Sequence, residues 1–201
     1  MTKKQQRRQA YDARNAQINK AQLSEIICNK FLSQVEYLHA DTVMWYLHCR
    51  SEVQTLKVVA KELGSTKRIV IPYCTEDHSG QPQLGLWHLN DLSELVAGTW
   101  GILEPPRSQW GKKGREVNPQ ELDLIMVPGV AFDSYGGRLG NGAGYYDRLF
   151  QTINSDAILT AVCYQTQICD KVIMEKHDVF MDRVITEERN TIINKNGSKF
   201  S

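Results

Sequence analysis

“LDLIMVPGVAFDSYGGRLGNGAGYYDR”, residues 122–148, joins the most apolar run of the chain to its densest cluster of glycines. The run 122–132 is apolar toward both sides, the composition of a strand buried in a parallel sheet rather than half-exposed in an antiparallel one. Gly136, Gly137, Gly140, Gly142 and Gly144 follow. Each costs up to about 1 kcal/mol against alanine in an ordered segment, so their clustering asks for a reason. A helical pattern from about Tyr145 to Ile153 comes next. Ligands of parallel α/β sheets bind beyond the carboxyl ends of the strands, and bare backbone N–H groups ahead of a helix suit an anion.

Working outward, the chain alternates helical and strand patterns. Residues from about 4 to 38 are helical in composition, with Leu23, Ile26, Ile27 and Leu32 on one apolar face. “DTVMWYL” (41–47) predicts a buried strand. “SEVQTLKVVAKELG” (51–64) predicts a helix capped by Ser51 and stopped by Gly64. “RIVIPY” (68–73) is the next strand, and “GLWHLN” (85–90) follows the turn-like “EDHSGQPQ”. Residues 98–119 lack periodicity and predict a long loop, with Pro119 starting a short helix. “DAILTAVCY” (156–164) and “RVITE” (183–187) complete the series. The expected fold is α/β, a mostly parallel sheet with helices on both faces in a Rossmann-like three-layer arrangement. Residues 1–201 are expected to form one domain.

The 201 residues carry a net charge of +1, which gives no global steer toward nucleic acid or membrane. The start, “MTKKQQRRQAYDAR”, is nevertheless strongly basic. Five cysteines, an odd number without a C-x-x-C pair, favour reduced thiols over a disulfide framework. Apolar stretches fall short of the about 18 residues of a membrane span. The N-terminus lacks a secretory apolar core; a mitochondrial leader is the weaker alternative to the cytoplasmic location expected here.

The glycine segment is neither G-x-x-x-x-G-K-[ST] nor G-x-G-x-x-G, since its spacing is G-x-G-x-G. A tight turn and close packing would also account for glycines alone. Arg138, Asp147 and the tandem Tyr145–Tyr146 favour a nucleotide phosphate site. Arg138 supplies a bidentate fork for phosphate oxygens. Asp147 makes sense beside phosphates if Mg²⁺ lies between them.

Residues 127–150, “VPGVAFDSYGGRLGNGAGYYDRLF”, resemble the signature of the 5-formyltetrahydrofolate cyclo-ligase family, roughly P-G-x-x-F-D-x-x-G-x-R-L-G-x-G-x-G-Y-Y-D. Every fixed position is matched. “KKQQR” resembles the family's N-terminal K-x-x-x-R, “SEVQT” its D/S-E-x-x-T and “GILEP” (101–105) its G-I-x-E-P. The resemblance covers nearly the whole chain. It implies a ligase of one-carbon metabolism that uses ATP to close 5-formyltetrahydrofolate into 5,10-methenyltetrahydrofolate, releasing ADP and phosphate.

The resemblance also distributes roles. Arg138 and Tyr146 would be catalytic. Arg138, Leu139, Gly140, Asn141, Gly142, Ala143, Gly144, Tyr145 and Tyr146 would cradle ATP, with a basic pair from the N-terminus. That pair is Lys3 and Arg7 or, equally by spacing, Lys4 and Arg8; the later Arg14 favours the first register. Leu47, Glu52 and one of Tyr145 and Tyr146 would contact the folate. Asp147 and Asp178 would hold Mg²⁺, Asp182 being a second acidic position near the latter. Tyr73 stands where many members have arginine, and Ala143 where some have lysine. The expected partners are ATP and the folate, without nucleic acid or membrane, and the chain is expected to be a monomer. A non-catalytic folate- or nucleotide-binding relative is the alternative of a different class, and it would bind without releasing ADP. An RNA-binding module built on the basic start would show steep salt dependence.

Overall fold

The computed structural model describes residues 1–193. The first 39 residues form three helices rather than one. Helix α1 (Lys3–Ala16) opens with a capping box, in which the Thr2 hydroxyl accepts the Gln5 N–H and the Gln5 side chain accepts the Thr2 N–H. Asn19, at φ 55°, takes the left-handed conformation that asparagine tolerates, and so separates α1 from α2 (Lys20–Leu32). Extended Gln34 then precedes α3 (Val35–His39).

Strand β1 (Thr42–Met44) ends sooner than the expected 41–47. Helix α4 (Leu56–Glu62) starts at Thr55, not Ser51. The Ser51 hydroxyl is engaged elsewhere, accepting from Arg14 Nε at 3.1 Å and donating to Asn15 Oδ1 at 2.7 Å. β2 (Arg68–Glu76) returns through a tight turn as β3 (Pro82–His88). The expected loop 98–119 is only partly irregular: β4 (Val96–Ala97) pairs with β5 (Leu103–Glu104), and single 3₁₀ turns follow. The expected strand 122–132 is two strands. β6 (Leu124–Val127) stops at Pro128, which has no N–H for the ladder, and β7 (Ala131–Phe132) joins β8 (Arg138–Leu139) in a separate hairpin. Helix α5 (Tyr145–Phe150), β9 (Ile158–Val162), β10 (Arg183–Ile185) and the unforeseen edge strand β11 (Asn190–Ile192) follow.

Among the described residues the main sheet has seven strands, in the order β11-β10-β9-β6-β1-β2-β3. The five inner strands are parallel, and the two edge strands pair antiparallel. Alternate residues divide between the faces. Val43, Ile69, Ile71, Leu124 and Met126 meet α2, α3 and α4. Met44, Val70, Ile125 and Val127 meet Leu149 and Phe150 of α5 and the coil residues Val117 and Leu122. Helices therefore cover both faces, unequally. On the first face Phe31, Tyr37 and Trp45 stack edge-to-face, with centroids 4.9–6.1 Å apart. Such pairs add about 0.5–1.5 kcal/mol each beyond area burial. Among the described residues no helix is long and apolar enough to cross a membrane.

Candidate active site

From β1 the chain moves to β2 on one side; from β6 it moves to β9 on the other. Strand order therefore reverses between β1 and β6, and a crevice opens beyond their carboxyl ends. Tyr46 and Leu47 leave β1 there, and Pro128 and Gly129 leave β6. Two adjoining cavities occupy the crevice, a larger one of about 380 Å³ and a smaller one of about 350 Å³. Arg138, Gly140, Gly142, Gly144 and Asp147 line both. The larger has a mainly apolar wall that includes Leu47, Pro72, Tyr73, Ile102, Tyr145 and Tyr146. The smaller is lined by Lys3, Arg7, Leu139, Asp178 and the shared residues, with Glu175 and His177 at its edge.

The common wall is shaped by the β7–β8 hairpin. Asp133, 2% exposed, sits inside its turn. Oδ1 accepts the N–H groups of Tyr135 (2.9 Å) and Gly137 (2.8 Å), and Oδ2 accepts that of Val172 (2.7 Å). This fixes β8, which carries Arg138, opposite Phe132. Beyond it Gly142 (φ 98°) and Gly144 (φ 71°) take left-handed conformations that side chains resist. A Cβ at Gly142 would also stand 3.4 Å from the Arg7 guanidinium. Helix α5, expected over 145–153, has only the six residues Tyr145–Phe150. So short a helix contributes little dipole, and positive charge in the smaller cavity must come from side chains.

Those side chains come from β8 and α1. Arg138 is 6% exposed. Its Nη2 donates to Asp147 Oδ1 at 2.6 Å, its guanidinium lies 5.6 and 5.4 Å from the Tyr146 and Phe150 ring centroids, and among the described residues its buried Nε has no partner. From α1, Arg7 Nε donates to the Gly140 carbonyl (2.9 Å) and Lys3 Nζ to Asp178 Oδ2 (2.7 Å). One turn further along, the Tyr11 hydroxyl bonds the Asn141 side chain. Buried Arg14 donates to the Gly129 carbonyl (3.3 Å) and approaches Glu52 Oε1 (3.7 Å). One face of α1 thus touches both cavities. Lys4 and Arg8, on its other side, are exposed and line neither, so the Lys3/Arg7 register is the one facing the crevice.

In the larger cavity Glu52 Oε2 accepts the Cys49 N–H at 2.9 Å. Burial raises the Glu52 pKa, an effect that this bond and Arg14 reduce but do not cancel. Burial, then the charge of Glu52, holds the Tyr146 phenol far above its ordinary pKa despite nearby Arg138. Tyr146 is therefore a hydrogen-bond donor at neutral pH. Trp100 stands 59% exposed at the rim, its ring 6.3 Å from that of Tyr145 in edge-to-face geometry, on a left-handed backbone (φ 58°). Tyr73 donates to Glu116 Oε1 (2.8 Å) and packs against Trp110, so its place on the wall holds no cation.

Asp147 and Asp178 both line the smaller cavity. Among the described residues no three acidic, histidine or cysteine side chains gather as a full metal cage. Two carboxylates nonetheless suit Mg²⁺, which keeps several waters and commonly takes one or two carboxylates plus phosphate oxygens. The oxygen donor set fits that ion. Asp182 does not join them: it lies at the start of β10, where Oδ2 accepts the Leu159 N–H at 2.8 Å. Sequence reasoning missed Tyr11, Trp100 and Glu104 as cavity residues and assigned no contact to Arg14. Only the helical i, i+4, i+8, i+11 spacing from Lys3 along α1 could have found Tyr11 and Arg14.

A family model described as the 5-formyltetrahydrofolate cyclo-ligase family matches residues 1–187. The NMR structure of an Aquifex aeolicus 5,10-methenyltetrahydrofolate synthetase superposes with a TM-score of 0.80 at 28% identity, across 100% of this chain and 97% of that one. The 5-formyltetrahydrofolate cyclo-ligase of Mycolicibacterium smegmatis is 32% identical over 151 residues, 75% of this chain and 76% of its own. A probable 5-formyltetrahydrofolate cyclo-ligase of Caenorhabditis elegans is 29% identical over 170 residues, 82% of this chain and 81% of its own.

Proposed function

The chain belongs to the 5-formyltetrahydrofolate cyclo-ligase family, and from that premise we propose that it closes 5-formyltetrahydrofolate to 5,10-methenyltetrahydrofolate while converting ATP to ADP and phosphate. The observation that carries this reading is the meeting of two cavities at Arg138 and Asp147. One is largely apolar and suits the flat folate. The other presents Lys3, Arg7 and Arg138 and suits a triphosphate. Their junction is where a phosphoryl group would pass from one substrate to the other.

A formamide carbonyl is a weak electrophile, and its oxygen is a poor leaving group. In the proposed reaction the formyl oxygen attacks the γ-phosphorus, the bond to the bridging oxygen breaks and ADP departs. N10 then attacks the formyl carbon and loses its proton. The carbon–oxygen bond breaks, and phosphate leaves with the former formyl oxygen. Positioning and charge neutralisation are the protein's main contributions to such a transfer. Arg138 would fork onto the transferring phosphoryl oxygens. Lys3 and Arg7 would hold the remaining phosphates. Tyr146 would donate its hydroxyl proton in a hydrogen bond, and Leu47, Tyr145 and Glu52 would bound the folate. Asp147 and Asp178 would hold Mg²⁺, which supplies charge screening to a triphosphate when bound.

The test is a spectrophotometric assay of the purified protein with 5-formyltetrahydrofolate, ATP and Mg²⁺. Methenyl product is followed by absorbance, ADP is quantified in parallel, and each component is omitted in turn. One ADP per methenyl product is expected. Folate or nucleotide binding without product would replace the enzyme by a binding protein.

A further inference from the structure

Three carboxylates stand on the wall of the larger cavity: Glu52, Glu104 and Asp147. Two are committed to protein partners, Glu52 to the Cys49 N–H and Arg14, and Asp147 to Arg138. Glu104 is different. It is 5% exposed and, among the described residues, its carboxylate accepts no hydrogen bond and pairs with no cation. Its oxygens are not sealed from solvent but open onto the cavity, so acceptors that no protein group uses are presented to whatever occupies it.

The surrounding backbone is built to keep it there. Glu104 lies on β5, paired opposite Val96 of β4. The turn between the strands is closed by the Gly98 N–H on the Ile102 carbonyl at 2.8 Å. A Cβ on Gly98 would lie 1.9 Å from Glu104 Cδ, so the carboxyl group rests on a residue without a side chain. Glu104 is also the acid of “GILEP”, a stretch that the phosphate and metal chemistry leaves without a role.

Two free carboxylate oxygens ask for two N–H donors side by side, the pairing that makes a fork geometry strong. Resting on the proposed folate reading, the substrate offers one such edge. The reduced pterin carries its 2-amino group beside N3–H, both donors pointing the same way. The glutamate end of folate is anionic and would be repelled, and the formyl oxygen is only an acceptor. We infer that Glu104 is the residue that selects the pterin, its carboxylate accepting the 2-amino and N3–H protons and so fixing which end of the folate enters the cavity.

The test compares 5-formyltetrahydrofolate with its 2-desamino-2-methyl analogue, which lacks one donor, on the wild type, Glu104→Gln and Gly98→Ala. Wild type should prefer the natural substrate by roughly 10- to 100-fold in kcat/KM, the scale of a charged hydrogen bond. Glu104→Gln should lose a comparable factor on the natural substrate and discriminate by no more than about threefold, with KM for ATP little changed. Its melting temperature should stay near that of wild type, because the carboxylate makes no protein contact that the amide would lose. Gly98→Ala, which displaces the carboxyl group without removing it, should reproduce the lost discrimination and guards against a misfolded Glu104→Gln. A Glu104→Gln enzyme that discriminates as the wild type does, or keeps its kcat/KM, overturns the inference. Should the wild type turn over neither substrate, the cyclo-ligase reading itself falls. Calorimetric titration of 5-formyltetrahydrofolate then decides the inference: equal affinity of wild type and Glu104→Gln overturns it, and weakened binding to the variant supports it.

Discussion

Arg138 donates through Nη2 to Asp147 Oδ1 at 2.6 Å across the wall shared by the two cavities. The pair neutralises a guanidinium packed against Tyr146 and Phe150, and it keeps the forked donor set in one orientation before any anion arrives. Preorganised charge of this kind acts mainly on a transition state. Arg138→Ala should therefore lower kcat by about 10²–10³ while KM for the folate stays within about threefold. Arg138→Lys should recover little, because an ammonium cannot reproduce the planar fork. Steady-state kinetics on both variants decide the matter. A kcat within a few-fold of wild type would remove Arg138 from the chemistry.

Lys3 and Lys4 are adjacent in sequence and face different surroundings. Lys3 Nζ meets Asp178 Oδ2 at 2.7 Å in the smaller cavity, and Lys4 is exposed. Lys3→Ala should raise KM for ATP by roughly tenfold or more, the scale of one charged hydrogen bond, and Lys4→Ala should change it by less than about twofold. Equal effects from the two would mean that general basicity, not a contact, is being measured. Initial rates across an ATP series distinguish the outcomes.

The contrast between those lysines marks what a one-dimensional pattern holds. Spacing along α1 restricts the cavity-facing pair to two registers; only the packing of Gln6, Ala10 and Arg14 against the body of the protein selects one. The parallel sheet was legible because apolar runs such as 124–127 admit no solvent face, and the crevice position follows from that sheet. The break at Pro128 was missed, because the apolar run reads as one strand although proline has no N–H to continue the ladder. Ser51 misled because its hydroxyl serves Arg14 and Asn15, distant contacts that outweigh a local cap. The burial of Glu104 was invisible: a lone acid in an irregular segment carries no periodicity, and its surroundings are made by Gly98 and a two-residue strand.

Glu52 ties stability to pH. Its folded pKa is raised above the ordinary 4.5, chiefly by burial, so the folded state favours the neutral acid. The stability this contributes is fully present below the unfolded value and is lost as pH rises through the folded one. Glu52→Gln removes the titration. The melting temperature of Glu52→Gln relative to wild type should accordingly increase as pH is raised from about 4 to about 7. Parallel thermal scans across that range check it: a flat difference would mean that folding leaves the Glu52 pKa unshifted, and one that falls with pH would show Glu52 favoured as the anion.

Asp133 offers the last test, because its carboxylate supports Arg138 without entering either cavity. Three backbone N–H groups converge on two oxygens that are buried with the residue at 2% exposure. Gly137 leaves room for them, since a Cβ there would fall 2.5 Å from Oδ2. Asp133→Asn keeps the shape and turns one acceptor into a donor aimed at an N–H. If the amide oxygen keeps Tyr135 and Gly137, its NH₂ faces the Val172 N–H, and the strap through Val172 is released. The cost should be about 2–4 kcal/mol, the penalty for a buried charged acceptor lost and a donor left unmet. At this chain length that lowers the melting temperature by roughly 5–15 °C. Because β8 hangs from the same turn, kcat should fall with stability while KM for the folate holds. A variant that melts within about a degree of wild type would mean the turn is held by its backbone alone, and Arg138 would then need no support from Asp133.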